Sequence, residues 1–332
     1  MSELQFGLLS IGVVVVAGVL VYNRLQERGA RRHAERAFRS GHADVLLEGA
    51  ARQAGAAHEP PRGQVHAAAR STLAAEAGRP DPAIDYIIEF ASGQPAAQAL
   101  VHEQWGAIER RHAHRALLAG LDDGKSWRAG LQLVSRTGAI GEADLIEFRS
   151  AVETLAASVG GTVSAPEMRA AVEAARALDG FCAEVDIQVV IHVQGGPFPG
   201  EKVGEAAEAA GMTLGADGRF GLYDDANRLL YTLGARDGSA FTPTGMRDAA
   251  PEALSLALDV ARVPDTRRSF ESMTRLAHQL AAGLGGSIVD DNGNPLDDRA
   301  VAAIAVQLDA VRARLEAQGL PPGSAAALRL FS

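Results

Sequence analysis

Two similar nine-residue stretches constrain the fold of this chain more than any other feature. LAASVGGTV begins at Leu155, and LAAGLGGSI begins at Leu280, 125 positions later. The similarity continues without a gap over residues 130–163 and 255–288, where apolar residues recur at both strand and helix spacing. Biased composition alone would not preserve both periods. We therefore expect a tandem duplication of a β-α-β-β-β-α-β-α unit.

The two copies share turn residues as well as apolar positions. The alignment equates Leu131 with Leu256 and Leu155 with Leu280. In both copies a helix with apolar residues at helical spacing ends at a double glycine, a common C-terminal cap. This element order predicts an α+β fold in which an antiparallel-rich sheet carries helices on one face. The other face of the sheet is then open to solvent or to a partner.

An apolar stretch without charge lies close to the N-terminus. Residues 4–23, LQFGLLSIGVVVVAGVLVYN, would cross the roughly 30 Å hydrocarbon core of a bilayer as a helix that rises about 1.5 Å per residue. A signal peptide is the alternative interpretation. Only Glu3 and the α-amino group precede the apolar core, however, and no clean cleavage site follows it. We expect a retained transmembrane anchor.

Arginines follow this apolar stretch and predict its orientation. The positive-inside rule keeps such residues in the cytoplasm, so the short N-terminus lies outside and the rest of the chain inside. Contact of these arginines with anionic lipid is a further possibility. They are Arg24, Arg28, Arg31, Arg32, Arg36 and Arg39.

Composition and breaker residues divide the rest of the chain into segments. Paired prolines in HEPPRG and the prolines of AGRPDP interrupt a basic, partly helical region. Strand-like and helix-like patterns begin after it. The expected segments are an anchor at 4–23, a linker at 24–84, a first module at 85–182, a second module at 183–320 and a tail at 321–332.

The sequence offers little support for catalysis or for metal and cofactor binding. A formal net charge of −9 argues against nonspecific nucleic-acid binding, and the single cysteine, Cys182, excludes a Cys-rich zinc site. GGPFPG lacks the spacing of a phosphate-binding loop, and DDNGNPLDD lacks the closing glutamate of a calcium loop. We expect a binding protein rather than an enzyme, with no cofactor, metal, nucleic acid or small-molecule substrate.

An apolar patch on the open sheet face is the expected interaction site. In the strand QVVIHV, alternation directs Gln188, Val190 and His192 to that face. Large apolar residues in the following strands could extend the patch, because exposed apolar surface usually marks a binding site. Each of them could equally belong to the core. They are Phe220, Leu222, Tyr231 and Leu233.

The order of these motifs resembles the C-terminal domain of the ZipA family of bacterial cell-division proteins. The resemblance covers residues 184–319, together with the N-terminal anchor. It is carried by EVDIQVVIHV, EAAGMTLGADGRFGLYD, LLYTLGARDGSAFTP, LALDVARVPD and FESMTRLAHQLAAGLGGSIVDDNGNPLDD.

The resemblance implies a split β-α-β fold and a non-catalytic tether. Members of the family bind the C-terminal peptide of the tubulin-like protein FtsZ in a shallow apolar groove on the sheet face. They thereby attach the division ring to the inner (plasma) membrane at the division site, with the N-terminus periplasmic and the C-terminal domain cytoplasmic. The groove residues implied here are Val190, Phe220, Leu222, Tyr231, Leu233, Leu258 and Val260.

Two other functions remain compatible with the sequence. A membrane-anchored cytoplasmic scaffold with a different peptide partner would show the same pattern. A membrane-anchored ligand sensor or enzyme would require a concave polar pocket with convergent titratable groups, for which the sequence gives no indication. The first module is expected to serve as a spacer or as a second partner site.

Overall fold

A computed structural model describes the chain from shortly before the first predicted strand. All described residues belong to one compact unit, residues 61–332. The expected anchor at 4–23 and almost all of the linker at 24–84 lie outside them. Within the described part, none of the helices combines the length and apolar character that a membrane crossing requires. The described residues are 76, 78–92, 98–113 and 115–331.

The first half forms a four-stranded sheet with three helices. All its strand pairs are antiparallel, in the order β2-β3-β1-β6, and a separate two-stranded ribbon pairs β4 with β5. The elements are β1 (Asp85–Ala91), α1 (Gln98–Arg111), β2 (Ala116–Gly120), β3 (Ser126–Gln132), β4 (Val134–Ser135), β5 (Gly138–Ala139), α2 (Glu142–Ser158), β6 (Thr162–Ser164) and α3 (Met168–Val185).

The second half forms a six-stranded sheet, also antiparallel throughout, in the order β12-β7-β11-β10-β9-β8. The chain therefore has the mixed α+β architecture with antiparallel sheets that the pattern predicted. The elements are β7 (Gln188–Gln194), α4 (Gly200–Ala209), β8 (Thr213–Leu214), β9 (Phe220–Tyr223), β10 (Leu229–Ala235), β11 (Ala253–Asp259), a 3-10 turn (Val260–Arg262), α5 (Thr266–Leu284), β12 (Ser287–Val289), α6 (Asp298–Ala317) and α7 (Ala325–Leu330).

The two sheets share a four-strand pattern. The order β6-β1-β3-β2 in the first sheet matches β12-β7-β11-β10 in the second. Asp85–Ala91 pairs with Ser126–Gln132 along its whole length, and Gln188–Gln194 pairs with Ala253–Asp259 in the same way. The second sheet differs by the additional strands β8 and β9 at one edge.

Strand register corrects the sequence alignment of the two halves. β6 and β12 begin 125 positions apart, as the repeat requires, but β3 and β11 begin 127 positions apart. Leu131 therefore corresponds to Leu258, and the expected equivalence with Leu256 is wrong by two residues. The ungapped alignment missed this shift because alternate residues of a strand share a face, so a slip of two residues preserves the apolar pattern.

The double glycine that ends each main helix has a structural explanation in both halves. The first glycine of each pair is left-handed, with φ of 61° and 75°. The second, Gly161 or Gly286, lies against the carbonyl oxygen of the residue that ends the first strand, Ala91 or Gln194. A β-carbon there would collide with that backbone. Glycine is therefore required twice, once for conformation and once for close approach.

Buried aromatic residues hold the first sheet against its helices. The ring of Phe148, on α2, makes edge-on contacts with Tyr86 of β1 and Trp105 of α1, with centroid distances of 6.5 and 6.4 Å. His112 contacts the same ring at 5.4 Å, and burial lowers the pKa of His112. These contacts place α1 and α2 on one face of the sheet.

Aliphatic residues hold the second sheet against α5. Ile191, Leu233 and Leu256 lie side by side on three neighbouring strands and are fully buried. Phe270 of α5 is buried in the same apolar cluster. The hydroxyl of Tyr231 lies 3.2 Å from the Ser272 hydroxyl of that helix. One face of each sheet therefore packs against helices in the core.

A buried ion pair connects the C-terminal helix α7 to the first sheet. Arg329 donates to both carboxylate oxygens of Asp85, at 2.8 and 3.0 Å, and the Asp85 side chain has no exposed surface. Burial raises the pKa of Asp85, whereas the guanidinium of Arg329 opposes that rise. Residues 321–332, expected only as a tail, therefore include a helix that contacts the first half of the chain.

Replacing Arg329 with leucine should lower the free energy of unfolding by about 3 kcal/mol, because the Asp85 carboxylate would stay buried without its cation. Urea unfolding at neutral pH measures this loss. The double variant Asp85→Leu/Arg329→Leu removes both charges and should recover most of the lost stability. Equal destabilisation of the two variants would contradict the role assigned to the ion pair.

Candidate functional site: the uncovered face of the second sheet

A row of small side chains crosses the face of the second sheet that points away from α5. Val190 of β7 lies opposite Ala257 of β11, which lies opposite Thr232 of β10, which in turn lies opposite Gly221 of β9. Val190, Ala257 and Thr232 are each partly exposed. We call these four residues the cross-strand row. Short side chains at Ala257, Thr232 and Gly221 would let another chain approach the backbone of the sheet closely.

Apolar side chains border one end of the cross-strand row. The ring of Tyr223 folds over Gly221, where an added β-carbon would lie 2.8 Å from a ring carbon. Tyr223 pairs with Leu229 across the β9–β10 hairpin, and their side chains are 41% and 39% exposed. Such large exposed apolar residues on neighbouring strands form the kind of patch that binds a partner.

A hydrogen-bonded group borders the row along β7 and β11. His192 is buried, and its two ring nitrogens each lie 2.8 Å from an oxygen, one of Ser255 and one of Asp291. Arg236 donates to the carbonyl oxygen of Asp291 at 3.3 Å. These contacts hold the loop after β12 beside the sheet face, at one side of the cross-strand row.

An acidic residue with an unusual environment ends β11 next to the row. Asp259 lies opposite Gln188, and one of its carboxylate oxygens is buried without a hydrogen-bond partner among the described residues. Burial raises the pKa of Asp259 to about 6; Arg262, at 4.0 Å, lowers it, and the nearby Asp186 raises it further. The negative charge of Asp259 is therefore poorly stabilised in the folded chain.

The structure places the predicted groove residues on two different faces. Val190 lies on the uncovered face, as alternation predicted. Phe220 lies opposite Leu233, which lies opposite the core residue Leu256, so both share the helix-covered face. The expected exposure of the other residues was therefore wrong, because their apolar character reflects burial. Phe220, Tyr231, Leu233, Leu258 and Val260 are buried, and Leu222 is half-buried against the same core.

The other residues of the cross-strand row were not identified from the sequence. Ala257, Thr232 and Gly221 are small and have no chemical signature of a binding surface. Their position follows only from the strand register that sets them beside Val190. Tyr223 could have been identified, because it lies one residue beyond Leu222, which packs against the core, and so points to the opposite face.

The described residues contain little catalytic chemistry. Burial raises the pKa of the Cys182 thiol to about 11, so this side chain is protonated at neutral pH and is a weak nucleophile. Cys182 lies within α3, near its C-terminal end. Throughout the described part of the chain, no group of three or more His, Cys, Asp or Glu residues could hold a metal ion.

Comparison with known protein families identifies the second half of the chain. Residues 185–307 match the family described as ZipA, C-terminal FtsZ-binding domain. The matched segment contains all six strands of the second sheet and therefore the whole cross-strand row. The sequence matches none of the curated proteins with which it was compared. Residues 185–307 of this chain therefore belong to the family of ZipA C-terminal, FtsZ-binding domains.

Proposed function

We propose that this chain binds the C-terminal peptide of FtsZ on the cross-strand row and tethers the bacterial division ring to the inner membrane. The observation that carries the proposal is the family match at 185–307, which encloses an uncovered sheet face with exposed apolar side chains. The proposed role is binding rather than catalysis.

Binding on such a face depends on apolar burial. A peptide side chain that packs over Ala257 and Thr232 gains about 25 cal/mol for each Å² of apolar surface removed from water. Tyr223 and Leu229, already partly exposed, would be covered at the same time. The small floor residues let the peptide lie close to the sheet in an extended or helical form.

Attachment of a ring does not require tight binding by one domain. A polymer of FtsZ presents many tails, and many anchored chains share one membrane. Simultaneous engagement makes later binding events effectively intramolecular, which can raise the overall affinity by about 10²–10⁴. A shallow surface of modest affinity is therefore sufficient for a tether.

The membrane part of the proposal rests on the sequence. The apolar residues 4–23 and the arginines that follow them lie outside the described residues, and they are the proposed single-pass anchor with the C-terminal domains in the cytoplasm.

The tandem arrangement is part of the same proposal. We assign 85–182 and 183–320 to two modules of common origin, preceded by the linker at 24–84. The shared strand order, the equal strand pairings and the double glycine at each main helix support this assignment.

Ala257→Arg should weaken binding of an FtsZ C-terminal peptide at least tenfold, about 1.4 kcal/mol, because the long charged side chain would lie over the cross-strand row without disturbing the core. Calorimetric titration of the folded chain measures the affinity. Ala302→Arg, at an exposed position of α6, is the matched control and should bind like the wild type. Phe220→Asp is unsuitable, because Phe220 is buried and its loss would unfold the domain.

Two results would contradict this site. Unchanged affinity of Ala257→Arg would place the peptide elsewhere on the domain. A folded wild-type chain that does not bind the FtsZ peptide would leave a membrane scaffold with a different peptide partner.

Asp259→Asn should stabilise the folded chain at pH 7.5 by about 1–2 kcal/mol. The carboxyl group ionises near pH 3.8 when unfolded but only near 6 when folded, so its ionisation opposes folding. The cost is absent below pH 3.8 and complete above about 6. Urea unfolding at pH 4 and 7.5 tests this sign. If the difference in free energy of unfolding between Asp259→Asn and the wild type did not grow with pH, the raised pKa assigned to Asp259 would be contradicted.

Deleting residues 1–23 should move the chain from the membrane pellet to the supernatant after cell lysis and centrifugation, because the proposed apolar anchor is then lost. A variant with Leu9, Val14 and Leu20 changed to alanine keeps the length and should remain in the pellet. Recovery of the deleted chain in a carbonate-washed membrane pellet would contradict the anchor.

A further inference from the structure

The first sheet contains a row equivalent to the cross-strand row. β1 and β3 pair along their whole length as β7 and β11 do, so Ile87 corresponds to Val190 and Gly130 to Ala257. Leu117 of β2 lies opposite Gly130, as Thr232 lies opposite Ala257. The same face of the repeat is therefore present twice.

In the first sheet the centre of this row is occupied by the chain itself. A β-carbon added to Gly130 would lie 2.6 Å from Cβ and 3.0 Å from Cγ of Pro80, so the proline ring rests directly on Gly130. Pro80 is half-buried by this contact. Glycine is the residue that permits it, whereas the second sheet has alanine at the equivalent position.

Hydrogen bonds hold this segment, residues 79–82, in place. The amide of Asp81 donates to the Asp85 carboxylate at 2.7 Å, and the amide of Asp85 donates to the carbonyl oxygen of Asp81 at 2.8 Å. The Asp81 carboxylate accepts from the amide of Ala83 at 2.8 Å. Asp85 is also the partner of Arg329, so α7 supports the same anchoring point.

An ion pair lies beside this row on the same face. Glu89 and Arg128 lie opposite each other on β1 and β3, and Arg128 donates to the Glu89 carboxylate at 2.7 Å. The equivalent positions in the second sheet carry His192 and Ser255. An ion pair replaces part of the surface that would receive an apolar peptide.

We propose that the uncovered face of the first sheet is an internal docking site whose occupant is the chain's own segment 79–82. This contact leaves the chain with one open peptide site, on the second sheet. A segment joined directly to β1 has a far higher effective concentration than a free peptide and excludes it from this face. The prediction of a single open peptide site rests on the proposed function, whereas the docking of segment 79–82 on the first sheet does not.

Hydrogen exchange of the full chain tests the docked segment. In the wild type the amides of Asp81, Ala83 and Asp85 should be protected. Gly130→Ala places a methyl group against Pro80 and should speed their exchange at least about tenfold. Pro80→Gly/Gly130→Ala removes the colliding ring atoms and should restore much of the protection. Unprotected wild-type amides, or exchange unaffected by Gly130→Ala, would overturn the proposal.

The number of FtsZ peptides bound per chain, measured by calorimetry, separately tests whether only one peptide site is open. The wild type should bind one FtsZ peptide per chain, and two peptides per chain would overturn the proposal. Absence of binding would contradict the proposed function alone, since the exchange experiment decides the docked segment independently.

Discussion

The alternation of side chains along antiparallel strands determines which residues of the second sheet lie on its uncovered face. Because Ile191, Leu233 and Leu256 pack beneath α5, their strand neighbours Val190, Thr232 and Ala257 must point the other way. Burial of one face thus creates the row on the opposite face. Any substitution that slips the register by one residue would exchange the core for the binding surface.

The two halves share a strand order but differ on one face of each sheet. Both keep the double glycine that closes the main helix against the first strand, since the backbone contact cannot accommodate a side chain. They differ at the centre of the uncovered face, where Gly130 accepts the chain's own proline and Ala257 remains partly exposed. Gly130 leaves room for the Pro80 ring, whereas Ala257 carries a methyl group at the equivalent position.

Sequence periodicity predicted the α+β class, the glycine-capped helices and the side of β7 that carries Val190. It could not predict which residues line the uncovered face, because Phe220 and Tyr231 have the same apolar character whether they face a helix or solvent. Ala257 and Gly221 lie beside Val190 and Thr232 only because of the strand register. The sequences of short strands specify that register weakly. The two-residue error in equating Leu131 with Leu256 has the same origin.

Nuclear magnetic resonance can test most directly whether an FtsZ peptide contacts the cross-strand row, as we propose. An isotope-labelled chain should be titrated with the C-terminal peptide of FtsZ while amide and methyl shifts are followed. Binding on the cross-strand row should produce the largest changes at Val190, Thr232, Ala257 and Tyr223. Changes centred on the helix-covered face, on the first sheet or nowhere would contradict it.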